Sequence, residues 1–212
     1  NAVAGVINIV TKRGVEDDHA WQVQFSLQEE TVGNEYGLFD EGRHIQNLNI
    51  SHQANKNMAF TVGASRNDYA GFFHTYQGKD YVNIQNNTVI NNGLRGTEWS
   101  PKEQLTTFGN LNLSFGKHDI FYKLNYFDET VTVYNHDVIG RLDSNTGEAN
   151  PTALDENFNT QRLVNNLNIS GPLAGPILYN LSFSHQNQKR YYQQYVYNIL
   201  QRGIESYVAD DP

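Results

Sequence analysis

Hydrophobic and polar residues alternate one by one along most of this chain. In 58–69, Phe60, Val62 and Ala64 share one parity, and Thr61, Gly63 and Ser65 the other. Leu111, Leu113 and Phe115 alternate with Asn110, Asn112 and Ser114. Ile120, Tyr122, Leu124 and Tyr126 alternate with Lys123 and Asn125. Tyr179, Leu181 and Phe183 alternate with Asn180, Ser182 and Ser184, and Trp21, Val23, Phe25 and Leu27 with Gln22, Gln24, Ser26 and Gln28. Period two places successive side chains on opposite faces of a strand. The pattern predicts seven strands, near 19–31, 44–53, 58–69, 103–116, 119–132, 160–171 and 177–195. No window longer than a turn or two reads as a helix.

The connections alternate in length. Short ones, 54–57, 116–118 and 171–176, are rich in Asn, Gly and Pro, residues that suit tight turns and interrupt strands. Long ones run about 33–43, 70–102 and 133–159, and the 70–102 connection is longer than a compact domain ordinarily carries. A pentapeptide marks the period: Asn47–Ser51, Asn110–Ser114 and Asn166–Ser170 all read N-L-N-(I/L)-S. Each ends a strand that leads into a short turn, so one repeat is strand, short turn, strand, long loop. Short turns on one rim and long loops on the other are the signature of a transmembrane β-barrel. The predicted strands reach the roughly 9–11 residues of a tilted bilayer crossing, whereas strands of soluble sheets average about 5–6. A soluble antiparallel sandwich shows the same alternation. Few Lys and Glu on the polar parity, and the strict alternation of loop lengths, favour the barrel.

Composition narrows the classes. Hydrophobic residues make up 38% of the 212 and charged ones 18%, while 13 Tyr and 11 Phe argue against disorder. A net charge of −8 leaves no basic surface for nucleic acid. The chain has no cysteine, which excludes disulfides and thiolate metal sites. Mean hydropathy is −0.61, and no apolar run approaches the roughly 18 residues of a membrane helix.

The first residues break the alternation. Val6, Ile7, Ile9 and Val10 are almost continuously apolar after Gly5, and "TKRG" closes the run, as in a strand buried on both faces. Asn1, Ala2, Gly5, Val6, Ile7, Asn8, Ile9, Val10, Thr11 and Lys12 match, position by position, the N-A-x-x-G-V-I-N-I-(V/I)-T-K segment that closes the plug of TonB-dependent outer-membrane receptors. Followed at once by the alternating strands, it makes the chain resemble that family. The resemblance implies residues 1–14 as the last plug strand and 15–212 as the first third of an antiparallel barrel of 22 strands. It implies the outer membrane of a Gram-negative bacterium, and uptake of a scarce ligand driven by the TonB energy-transducing complex. The ligand class stays open among a siderophore-like metal chelate, a vitamin, an oligosaccharide and a peptide. On this reading the chain is a fragment lacking most of the plug and the TonB-contacting segment. It is expected not to fold alone, because an open seven-stranded sheet bares a lipid-facing surface and two edges.

Candidate chemistry is sparse. The seven His are scattered, and no metal site, cofactor or catalytic constellation is expected. "DSNTG" at 143–147 has its Gly one place early for a calcium loop and no closing Glu. N-x-(S/T) matches at Asn49, Asn112, Asn168 and Asn180 fall inside predicted strands. Ligand contact is expected from Phe73, Tyr76, Tyr81, Arg95 and Trp99 in the 70–102 connection, since aromatics on loops of a rigid scaffold often bind ligand. Tyr69, Phe72 and Trp99 fit an aromatic girdle at the membrane interface equally well. The rivals are a passive porin or adhesin barrel, an outer-membrane lipase or protease barrel, and a soluble carbohydrate-binding β-sandwich.

Overall fold

The structure is a computed structural model that describes residues 21–32, 37–38, 41–71, 81–82, 89–90, 100–135, 138–142, 149–198, 201 and 203–211. It contains β1 (Trp21–Glu30), β2 (Arg43–Asn55), β3 (Met58–Tyr69), β4 (Tyr81–Val82), β5 (Val89–Ile90), β6 (Lys102–Phe115) and β7 (His118–Val133). β8 (Val138–Leu142), β9 (Ala149–Ala174), β10 (Ile177–Asn198) and β11 (Gly203–Asp211) follow. Among the described residues there is no helix. One antiparallel sheet runs β1-β2-β3-β6-β7-β9-β10-β11 and is open, its two end strands not paired with each other. β8 pairs with β9 beyond the point where β7 leaves it, and β4 and β5 form a separate two-stranded ribbon.

All seven predicted strands are present, and four more were not anticipated. β4 and β5 are two residues each, too short to show a period. β8 and the start of β9 occupy much of the expected 133–159 loop, so that connection is a sheet extension rather than a long coil. β11 follows β10 where no strand was expected. The third short connection is also narrower than predicted: β9 runs through Gly171 and Pro172 to Ala174. A register shift between Ile177 and Leu178 sets Ala174 opposite Ile177 and Pro172 opposite Leu178. A bulge is one of the few places where a sheet accepts proline. The turns that follow β6 and β9 carry Gly116 (φ 64°) and Gly175 (φ 55°), the left-handed conformation that glycine adopts without a Cβ clash.

Adjacent strands share faces row by row. Val23, Ile50, Val62, Gly109 and Leu124 form one row, and Trp21, His52, Phe60, Leu111, Tyr122, Leu167 and Phe183 the next. Every apolar residue of the alternating pattern falls on this side. The opposite side carries the amides and hydroxyls. Leu105 to Leu113 bounds the apolar band on β6. Eight steps of roughly 3.4 Å, at a tilt of about 40°, give it a height of about 20 Å, near the roughly 25 Å of outer-membrane barrels. β9 and β10, at 26 and 22 residues, run far beyond it.

Among the described residues there is almost no apolar core. Ala59, Ala153 and Tyr195 are the buried hydrophobic residues among those described. Trp21, Val23, Phe25, Val62, Leu124, Leu181 and Phe183 are all exposed on the one face. Tight packing occurs instead at the far end of β9 and β10, where Thr152, Ala153, Asp155, Tyr195 and Asn198 are buried. Asp155 accepts the Asn135 backbone N–H at 3.1 Å, and Asn198 accepts that of Gln201 at 2.9 Å.

Candidate functional site: the polar face and the rim above the apolar band

The three copies of the pentapeptide place their Asn and Ser on one face and their Leu and Ile on the other. Asn110 and Asn166 both stand opposite Lys123 of β7, so the second and third copies are in register, while Ser51 and Asn110 flank Thr61. Cross-strand hydrogen bonds knit this face. Asn47 Nδ2 donates to Ser26 Oγ at 3.1 Å, and Ser51 and Thr61 share a hydroxyl bond at 2.9 Å. Asn168 Nδ2 donates to Asn180 Oδ1 and to Ser182 Oγ, both at 2.8 Å. Toward the long-loop rim, Arg43 Nε donates to Asn67 Oδ1 at 3.0 Å, and Asn67 in turn to Gln104 at 3.3 Å. Short neutral amides suit a wall that touches water or ligand.

Aromatic rings interrupt the polar parity. Phe108 lies opposite both Gly63 and Asn125. Arg162 Cζ sits 5.2 Å above the centroid of Phe127, its partner across the β7–β9 ladder. Arg190 Cζ sits 4.8 Å above Phe158, whose own ring lies 5.2 Å from Tyr192. The carboxylates nearby are engaged elsewhere: Glu129 with Lys102 Nζ at 3.8 Å, Glu156 by Tyr192 Oη at 3.0 Å and Gln194 Nε2 at 3.1 Å.

On the apolar side, polarity returns abruptly at the upper edge of the band, in the row of Leu105. Asp128 accepts Tyr126 Oη at 2.8 Å and Gln161 Nε2 at 3.2 Å on one oxygen, and Asn159 Nδ2 at 2.8 Å on the other. Asn159 also reaches Thr130 Oγ1 at 2.9 Å. Beside this cluster is a cleft of about 420 Å³, lined by Thr130, Asn157, Asn159, Gln161, Tyr191 and Gln193 with Asp210 of β11. At the same height Glu29 pairs with His44, and Arg66 with Asp68. Asp128→Ala is expected to cost about 1 kcal/mol, since three donors lose a partly exposed acceptor. Asp128→Asn keeps an acceptor and is expected to cost less; denaturant midpoints of the two variants check this.

Of the ligand-contact residues expected from sequence, Phe73, Tyr76, Arg95 and Trp99 lie outside the described residues, and so does the whole plug-like segment from Asn1 to Lys12. Tyr81 opens β4, opposite Ile90. Tyr69, a candidate for a lipid-facing girdle, falls on the polar face with Asn67 and opposite Lys102; the parity of β3 turns it away from the apolar side. Arg162, Arg190 and Asp128 were not anticipated as site residues. The available signal was an aromatic residue at polar parity, Phe127 and Phe158, beside a cation one strand away. Among the described residues no group of three or more His, Asp and Glu is placed to hold a metal ion.

No family model matches the chain, and no curated protein or solved structure matches it either.

Proposed function

We propose that this chain is part of the wall of an outer-membrane barrel, and that the barrel is a TonB-dependent receptor importing a small ligand. The observation that carries the reading is the two-faced open sheet: large apolar side chains cover one side, with no second layer against them among the described residues. Burying a side chain of this size contributes roughly 1.5–3 kcal/mol. A chain that leaves so many outside its own fold has another apolar phase to cover them. A bilayer is such a phase: the height of the band is near that of outer-membrane barrels, and each strand between the two end strands of the sheet is paired on both sides.

The receptor assignment draws on the resemblance of residues 1–14 to a plug terminus, with amide-rich strands directly after it. In that role residues 1–14 close the plug and 15–212 begin the barrel. Ligand binds at the outer loops and plug, the TonB complex pulls on the plug, and ligand passes along the amide-lined face. No bond of the ligand is made or broken. A passive porin or adhesin shares the wall and lacks the energy-coupled plug.

The test is expression of the full-length protein in a Gram-negative host, followed by membrane fractionation. The protein is expected in outer membranes, resistant to urea extraction and migrating faster on gels unheated than boiled. Recovery as a monomeric, detergent-free soluble protein would sink the membrane reading. Insertion with uptake that persists after loss of TonB would leave a passive barrel.

A further inference from the structure

Two cations on the polar face lack an assigned task. Arg162 of β9 stands opposite Gln188 and Arg190 of β10 opposite Thr160, which makes them diagonal neighbours on one face. Diagonal positions lie roughly 7–8 Å apart, so the two positive charges repel. Among the described residues neither has a carboxylate at ion-pair distance, and each guanidinium lies over a phenyl ring instead. Ring stacking holds a guanidinium plane in place while leaving its edge N–H groups free to donate.

We propose that Arg162 and Arg190 form a binding site for a small anionic ligand, which they hold through a carboxylate or phosphate group. The assignment rests on the barrel reading for the statement that this face lines the lumen. Three features converge on an oxyanion. The planar fork of arginine matches carboxylate and phosphate oxygens two at a time. The pair is prepositioned by Phe127 and Phe158, so little side-chain freedom is lost on binding. Among the described side chains, Glu129 is paired with Lys102, and Glu156 accepts from Tyr192 and Gln194, so neither of these two carboxylates occupies the guanidinium groups. Height along the wall also matters. Leu163, next to Arg162, belongs to the upper part of the apolar band, and Asp128 and Gln161 lie at its upper edge, in the row of Leu105. The pair therefore faces the lumen where the outer leaflet ends, the level that a ligand arriving through the long-loop rim meets first.

The experiment is titration calorimetry of the full-length protein in detergent micelles at low salt, with succinate and inorganic phosphate as separate probes and maltose as a neutral control. Saturable binding of at least one anion is expected, weakening as sodium chloride rises. The tighter of the two identifies the preferred group. Arg162→Gln and Arg190→Gln are each expected to lower affinity about tenfold, the loss of one charge-assisted bond. Arg→Lys at either position keeps the charge and is still expected to bind several-fold more weakly, because the fork and the ring stack are lost. Binding by neither anion, or binding that the Arg162→Gln/Arg190→Gln double variant leaves unchanged, overturns the site. Heat-modifiable migration of each variant separates the two failures: a well-folded barrel that binds neither anion counts against this site alone, and a protein that never behaves as a barrel counts against the membrane reading.

Discussion

On the proposed membrane reading, Leu124→Arg is expected to lower the stability of the folded protein in lipid vesicles by about 2–4 kcal/mol, the depth-dependent cost of a lipid-facing cation near mid-bilayer. Leu124 sits in the row Val23, Ile50, Val62, Gly109, at the middle of the apolar band, and its side chain is exposed. Ser184→Arg is the matched control. Ser184 lies at nearly the same height on the opposite face, across from Asn166. There an arginine stays hydrated, and the expected cost is below about 0.5 kcal/mol. Urea titration of both variants in vesicles reads the difference. In a soluble protein with an open apolar face, Leu124→Arg would change little or improve solubility, so equal and small effects at the two positions count against the bilayer. The contrast is informative because the backbone is the same for both substitutions and only the medium on each side differs.

Gly63→Ala is the second large effect, about 1–3 kcal/mol of destabilisation from overpacking. Gly63 stands directly opposite Asn49 on one side and Phe108 on the other. A Cβ built on it would lie 2.5 Å from Phe108 Cε1 and closer still to Asn49 Oδ1. The phenyl ring thus lies over the glycine, covering backbone that a side chain would otherwise shield. Phe108→Ala removes the ring's share of the clash and leaves the Asn49 side chain, a flexible neighbour, as the remaining close contact. In that background Gly63→Ala is expected to cost at least about 1 kcal/mol less than in the wild type, a coupling within the range of residues in direct contact. A double-mutant cycle on urea midpoints measures it. Additive effects would mean that the ring does not occupy that space.

How much of this was legible beforehand follows from the physics of each element. Strands β1, β2, β3, β6, β7, β9 and β10 could be read because each has one apolar and one polar side, and a two-residue period survives any small error in boundaries. The extensions β8 and β11 and the early start of β9 could not. At the start of β9 and the end of β10, Thr152, Asp155 and Asn198 are polar and yet buried, and burial of this kind leaves no apolar alternation to detect, while β11 is largely exposed and is defined by its pairing with β10. Pro172 misled for a related reason: its place in β9 depends on a bulge at Leu173, the residue left unpaired between Pro172 and Ala174, which only the pairing with β10 sets. The candidate site divides similarly. The amide face was visible in the repeated N-L-N-(I/L)-S, whereas the arginine pair was not, because Arg162 meets Phe127 across 34 intervening positions.

Sequence alone determined which residues share a face, since backbone pleating assigns that locally and irrespective of neighbours. It also determined where the short turns after β2, β6 and β9 fall, because Gly, Pro and Asn mark turns through their own backbone preferences. Tertiary structure decided the register, and with it every relation between strands: which amide meets which hydroxyl, that Phe108 lies over Gly63, and that Arg162 and Arg190 are neighbours. Register is a property of two strands at once, set by the summed fit of whole ladders, and no single stretch of chain encodes it.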